Sequence, residues 1–177
     1  MIPTAIDTVS SIRPPISTNA RMASMTAEIG EKAPEFSLED QFGQTIELSR
    51  LLESKPVALV FFPLAFTGIC TGELCELRDN LAMFDDAGVE LVAISVNNKA
   101  TLREFAEREG YSFTLLGDFW PHGEVAQKYG VFLDGPGIAT RATFVIGRDG
   151  VIAAKFVNAP GEARDLTAYR EAIAAVS

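Results

Sequence analysis

An α/β fold built on a central mixed β-sheet flanked by helices is predicted for this chain, and three observations predict it. The apolar run Val57 to Phe62 is continuous, as in a central strand covered on both faces. Leu74, Leu77, Leu81 and Phe84 recur three and four residues apart, the spacing of one helix face. Segments of these two kinds then alternate along the chain, which is the order of an α/β layer architecture.

Each element has its own signal. Phe36-Ser37-Leu38 and Thr45-Ile46-Glu47 flank Asp40 to Gly43 and read as a hairpin. After the Val57 to Phe62 strand, the periodic segment reads as a helix over 73–84, closed by Gly88. Leu91 to Val96 reads as another buried strand. Ala100 to Glu109 reads as a helix ending at Gly110, and Glu124 to Tyr129 as a short helix ending at Gly130. Thr143 to Ile146 and Val151 to Phe156 flank Arg148-Asp149-Gly150, a second hairpin. The last helix lies within Glu162 to Val176. Strand, helix, strand, helix, then hairpin and helix is the thioredoxin-like order.

The first 26 residues differ from the rest. They hold eight Ser or Thr, three Pro, two Arg and one acid, Asp7. Without apolar periodicity or a continuous apolar h-region, they read as a disordered extension, or as an over-long start with Met22 or Met25 as the initiator. Their Ser/Thr content faintly resembles an organelle transit peptide. The domain is expected over 27–177.

Composition excludes several classes. With 177 residues and 47 % apolar content, one compact core is feasible. The net charge of −9 repels a phosphate backbone, so nucleic acid is not an expected partner. No stretch approaches the roughly 20 apolar residues of a membrane span. A single histidine, His122, and two cysteines poorly satisfy a zinc site, so neither metal nor cofactor is expected. His122 sits between Pro121 and Gly123 and reads as a turn residue. Two close cysteines in such a chain suggest redox chemistry in a reducing compartment, hence the cytoplasm, the alternative being two buried bystanders. No Cys-x-x-Cys motif is present.

The informative segment runs from Phe61 to Cys75. Cys70 follows the central strand and stands where a helix opens, at the strand ends where open α/β sheets bind ligands. Unpaired backbone N–H groups and the positive end of the helix dipole favour a thiolate there. Pro63, Thr67 and Cys70 stand in Pro-x-x-x-Thr-x-x-Cys spacing, and Arg141 precedes Ala142-Thr143-Phe144. In this combination the chain resembles the peroxiredoxins. The stretch Phe62 to Cys70, with Asp118 to Gly123 (Asp-Phe-Trp-Pro-His-Gly), looks like the alkyl hydroperoxide reductase E branch.

The resemblance implies a thiol-dependent peroxidase acting on hydrogen peroxide, organic hydroperoxides or peroxynitrite. It implies that Cys70 becomes a sulfenic acid, that Thr67 hydrogen-bonds the thiolate and the peroxide, and that Arg141 stabilises the departing oxygen. It also implies that Pro63, lacking an N–H, shields the site, and that Glu73 orients the arginine. A free cysteine is roughly 3 % thiolate at pH 7, so full ionisation gains at most about thirtyfold. The rest of the acceleration must come from stabilising O–O cleavage, which Cys70 alone does not supply. The competing class is a non-enzymatic redox sensor or scaffold, separable by multiple turnovers with excess reductant.

Cys75 departs from a one-cysteine pattern. Cys-x-x-x-x-Cys followed by Glu76-Leu77-Arg78-Asp79 resembles the peroxiredoxin Q branch, whose second cysteine resolves the sulfenic acid as a disulfide. Five residues of helix give about 7.5 Å of rise and about 140° of rotation, hence Cα atoms about 8–9 Å apart. A disulfide needs less than about 7 Å, so the first turn must unwind. Cys70 shares a stripe with Leu74, Leu77 and Leu81, and Cys75 a more polar face with Arg78, Asp79 and Ala82. The alternative is a passive Cys75 with resolution by an external thiol. Reductants consistent with the pattern are thioredoxin, a glutaredoxin-like protein or a low-molecular-weight thiol. The first branch implies a homodimer and the second a monomer. Phe119, Trp120 and Tyr129 are read as core residues rather than as a peroxide channel.

Overall fold

The computed structural model describes residues 27–177; the expected extension over 1–26 lies outside them. The chain runs β1 (Ser37–Asp40), β2 (Thr45–Glu47), α1 (Leu48–Ser54), β3 (Val57–Phe61), α2 (Gly68–Asp79), α3 (Ala82–Asp86), β4 (Glu90–Ser95), α4 (Lys99–Glu109), β5 (Thr114–Gly117), α5 (Glu124–Lys128), β6 (Phe132–Leu133), β7 (Ile138–Ala139), β8 (Arg141–Ile146), β9 (Ile152–Asn158) and α6 (Leu166–Ala174). Seven strands form one sheet in the order β2-β1-β5-β4-β3-β8-β9. β3, β4 and β5 are mutually parallel, and β8 returns antiparallel beside β3. The architecture is the thioredoxin-like mixed sheet.

Strand β3 divides the core. Ala58, Val60 and the following Phe62 face one cluster with Leu74, Leu77, Phe84, Leu102, Phe105 and Ile173 from the helices. Val57, Leu59 and Phe61 face the other, with Leu48, Leu52, Val125 and Tyr129. Successive strand side chains point to opposite faces, so an unbroken apolar run is what a strand between two helical layers requires.

Three differences from the sequence reading have physical causes. The helix expected over 73–84 is two helices, and α2 starts earlier, at Gly68. Asn80 closes α2: its backbone N–H and its side-chain amide both donate to the Glu76 carbonyl. Thr67, extended at φ −94° and ψ 144°, opens it, and apolar spacing cannot register a helix start with glycines at its first and fifth positions. Elements α1, β5, β6 and β7 lie outside the sequence reading, because β5 to β7 span only two to four residues each.

The core reading of Phe119 and Trp120 is overturned, whereas Tyr129 is buried as expected. Phe119 is 51 % and Trp120 81 % exposed. Asp118 turns inward, where its carboxylate accepts from Val125 N and Ala126 N at the start of α5, and the next two residues face outward. His122 lies in that turn, its Nε2 2.7 Å from the Gly137 carbonyl oxygen. Among the described residues no helix is long and apolar enough to cross a membrane.

Candidate active site

Two neighbouring strand ends assemble the site. Phe61 at the end of β3 pairs with Ala142 in β8, so the loop leaving β3 emerges beside Arg141. That loop carries Pro63 and Thr67 into α2. It is pinned by Ala65 N, which donates to Asn97 Oδ1 at 2.9 Å. Phe66 adopts φ 62°, a left-handed conformation costing a non-glycine residue roughly 1–2 kcal/mol. Its ring lies 4.9 Å from Phe105 and beneath the Arg108 guanidinium at 5.3 Å, contacts that hold the strained turn.

Cys70 is completely buried in the first turn of α2. Arg141 Nη2 donates to its Sγ at 3.2 Å. The same guanidinium donates through Nη1 to Glu73 Oε2 at 2.7 Å and through Nε to the Pro160 carbonyl at 2.8 Å. All three donor directions of Arg141 are therefore fixed. Glu73 stands one turn after Cys70, which places its carboxylate on the same side of the helix.

A second arginine, absent from the sequence reading, completes the cluster. Arg164 Nε and backbone N donate to Glu73 Oε1 at 2.7 and 2.9 Å, and its Nη2 donates to Oε2 at 2.7 Å. Its Nη1 reaches the carbonyls of Phe61 and Ala142, each at 2.9 Å, and Thr143 Oγ1 at 3.2 Å. Arg164 thus bolts α2 to the ends of β3 and β8. One signal was available: Arg164 directly precedes Asp165, the N-cap of α6. A cation is unfavourable beside a helix N-terminus unless a carboxylate elsewhere compensates it.

The cluster's electrostatics follow from burial. Burial alone would raise the Glu73 pKa, but the Arg164 hydrogen bonds and charge, then the charge of Arg141, outweigh it and hold it below its ordinary value of 4.5. Two guanidinium groups and one carboxylate leave a single positive charge in a site closed to water. A thiolate at Cys70 brings that charge to zero, and a buried charge is tolerated only when paired.

Pro63 is buried, while Thr67 is exposed. The Thr67 hydroxyl donates to the Leu64 carbonyl at 3.0 Å, so its hydrogen is engaged there rather than at Cys70. Gly68 and Gly72 flank Cys70 within α2, and a Cβ built on either meets no atom within 4 Å. Packing does not demand these glycines, and Gly72, inside the helix, weakens it by about 1 kcal/mol relative to alanine. The first turns of α2 are locally weak, whereas Leu74 and Leu77 anchor its remainder in the core.

Neither cysteine is in a disulfide; Cys70 is buried and Cys75 half-buried. Cys75 does not meet Cys70. Its Sγ lies 3.6 Å from Tyr111 Oη and 3.7 Å from Glu109 Oε2. The polar face expected for it is therefore a contact with the end of α4.

Comparison with known proteins matches the sequence profile of the AhpC/TSA family to residues 29–155. Alkyl hydroperoxide reductase E of Mycobacterium tuberculosis is 48 % identical over 149 residues, covering 84 % of this chain and 97 % of that protein. Chloroplastic peroxiredoxin Q of Suaeda salsa is 33 % identical over 152 residues, covering 84 % and 70 % of the two chains. The crystal structure of peroxidoxin BcpB from Mycobacterium tuberculosis superposes with a TM-score of 0.73 at 32 % identity, covering 83 % of this chain and 94 % of that one.

The depressed Glu73 pKa makes stability depend on pH with a definite sign. The stabilisation is complete above the ordinary carboxyl value of 4.5 and is lost as pH falls through the lower folded-state value. Glu73→Gln leaves two buried arginines without their counter-charge and is expected to cost about 3–5 kcal/mol at pH 7. The variant is also expected to lose part of the acid-side slope. Urea unfolding between pH 3 and 7 checks both; a wild-type midpoint for Glu73→Gln at pH 7 contradicts this assignment.

Proposed function

The chain belongs to the AhpC/TSA family and is a thiol-dependent peroxidase, and we propose that Cys70 is the residue that attacks the peroxide. The observation that carries this is the 3.2 Å contact of Arg141 Nη2 on Cys70 Sγ inside a buried, charge-counted cluster. The thiolate sulfur attacks one peroxide oxygen, the O–O bond breaks, and the other oxygen departs with its electron pair and gains a proton. Cys70 is left as sulfenic acid. Arg141, fixed from three sides, offers its positive edge to the charge developing on the leaving oxygen, and such preorganised donors cost no reorganisation at the moment of reaction. Thr67 keeps its hydrogen on Leu64, which leaves its oxygen free to accept from the peroxide O–H. Pro63 adds no N–H to the buried side of the site, and Glu73 with Arg164 positions Arg141.

In the second half of the cycle Cys75 resolves the sulfenic acid as a Cys70–Cys75 disulfide after the Gly68 to Gly72 turn opens. The weak glycine-flanked turn supports this reading. A thiol reductant then restores both cysteines, with thioredoxin the first to try, ahead of a glutaredoxin-like protein or a small thiol. The reading includes a cytoplasmic setting, where free cysteines stay reduced. It also includes a homodimer, supported by the exposed large apolar side chains Phe66, Ile69, Phe119 and Trp120, some of which a second copy would cover.

One equivalent of hydrogen peroxide added to the reduced protein tests the chemistry. A loss of two hydrogens with a Cys70–Cys75 link is expected by mass and peptide map. A Cys70 that stays reduced contradicts the proposal. Arg141→Met is expected to slow Cys70 oxidation by about 100-fold or more. For the assembly, sedimentation is expected to give about twice the chain mass at micromolar concentration, falling toward one chain in Trp120→Glu; a wild-type monomer at all concentrations sinks the dimer.

A further inference from the structure

Cys75 stands in a small polar seat that the peroxide reaction does not use. Helix α4 ends at Glu109, and Gly110 takes the left-handed conformation at φ 71°. That reversal puts Glu109 and Tyr111 on one side, both against Cys75. The Tyr111 ring is wedged between Phe105 and Phe113, at centroid distances of 5.1 and 5.2 Å, so its hydroxyl is held in place. That hydroxyl donates to the Thr71 carbonyl at 3.3 Å. Arg78, one turn along α2, donates to the Glu109 backbone carbonyl and leaves the Glu109 carboxylate to the thiol.

We propose that Glu109 is the proton acceptor that activates Cys75 for disulfide formation, with Tyr111 holding the thiol in position. The inference rests on the resolving role of Cys75 proposed above. Glu73 is clamped by both arginines and Leu74 and Leu77 are buried, so residues from 73 onward stay in place. The segment 68–72 moves instead, carrying oxidised Cys70 toward a Cys75 that remains seated. The Cys75 S–H bond breaks and its proton passes to Glu109 Oε2. The thiolate forms the S–S bond with Cys70 sulfur while the S–O bond of the sulfenic acid breaks. The hydroxide that leaves takes a proton from solvent and departs as water while Glu109 returns its proton to solvent, so Cys75 is oxidised and Cys70 reduced to the disulfide level. Burial first, then the neighbouring Cys75, raises the Tyr111 pKa well above the ordinary phenol range. Tyr111 therefore stays protonated, and of the two groups touching Sγ only the carboxylate can take the proton.

The test follows the Cys70–Cys75 link by rapid acid quench and mass spectrometry, after one equivalent of hydrogen peroxide, from pH 5.5 to 9. A free thiol is about 3 % ionised at pH 7, so a base gains at most about thirtyfold. Glu109→Gln is expected to form the link about tenfold more slowly than wild type at pH 7. The gap is expected to close toward pH 9, where hydroxide can take the proton in place of the carboxylate, and Glu109→Asp should restore part of the rate. Glu107→Gln, which alters an exposed carboxylate on the same helix, is the control and should match wild type. A Glu109→Gln rate equal to wild type, or slower by the same factor at every pH, overturns the proton-acceptor role while leaving Cys75 as resolver. A wild-type protein that never forms the link overturns both.

Discussion

The carboxylate of Glu73, gripped by Arg141 and Arg164 in a site closed to solvent, is the constraint on which the rest of the structure depends. Desolvating three ionised groups costs several kcal/mol each unless every one is paired, and here every one is. Arg164 spends its remaining donors on the backbone of β3 and β8 and on Thr143, which ties the helix bearing Cys70 to the sheet that carries Arg141. Arg141 is then aimed at Cys70 by Glu73 from one side and by the Pro160 carbonyl from the other. The sheet brings the chain ends together, and the ion cluster sets their final geometry.

The same cluster divides α2 into two parts with different duties. Beyond Glu73 the helix is fastened by ion pairs and by Leu74 and Leu77. Before it, the turn containing Cys70 begins after a strained Phe66, holds two glycines that packing does not need, and is braced from outside by the Tyr111 hydroxyl. A peroxidase that resolves its own sulfenic acid needs both properties in one helix: a rigid site for attack on peroxide and a turn that opens afterwards. Placing the carboxylate anchor between the two cysteines meets both needs.

Much of this was legible in the residues. The continuous run at β3 and the helical stripe of Leu74 and Leu77 gave the layers, because burial on two faces and on one face leave different spacings. The strand-to-helix turn singled out Cys70, whereas Pro63, Arg141 and Glu73 came from the resemblance to the peroxiredoxins. Arg164 was legible only as a cation out of place before the N-cap of α6; its partner Glu73 lies 91 residues away, so its place in the site was not. The seat of Cys75 was hidden for the same reason, since Glu109 and Tyr111 belong to another helix terminus and meet the thiol only through tertiary packing. Phe119 and Trp120 show the converse limit, because apolar character does not tell which way a turn residue faces once Asp118 has claimed the inward position.

In the proposed mechanism the geometry of the Glu73 clamp, and not only its charge, makes Cys70 reactive. Arg164→Lys tests this most directly, since it keeps the positive charge and removes the two-pronged grip on the carboxylate. In a variant shown to be folded by circular dichroism, the second-order rate of Cys70 oxidation by hydrogen peroxide is expected to fall by about tenfold or more. A rate equal to wild type would contradict the account, leaving Arg164 a structural bolt with no part in setting the active site.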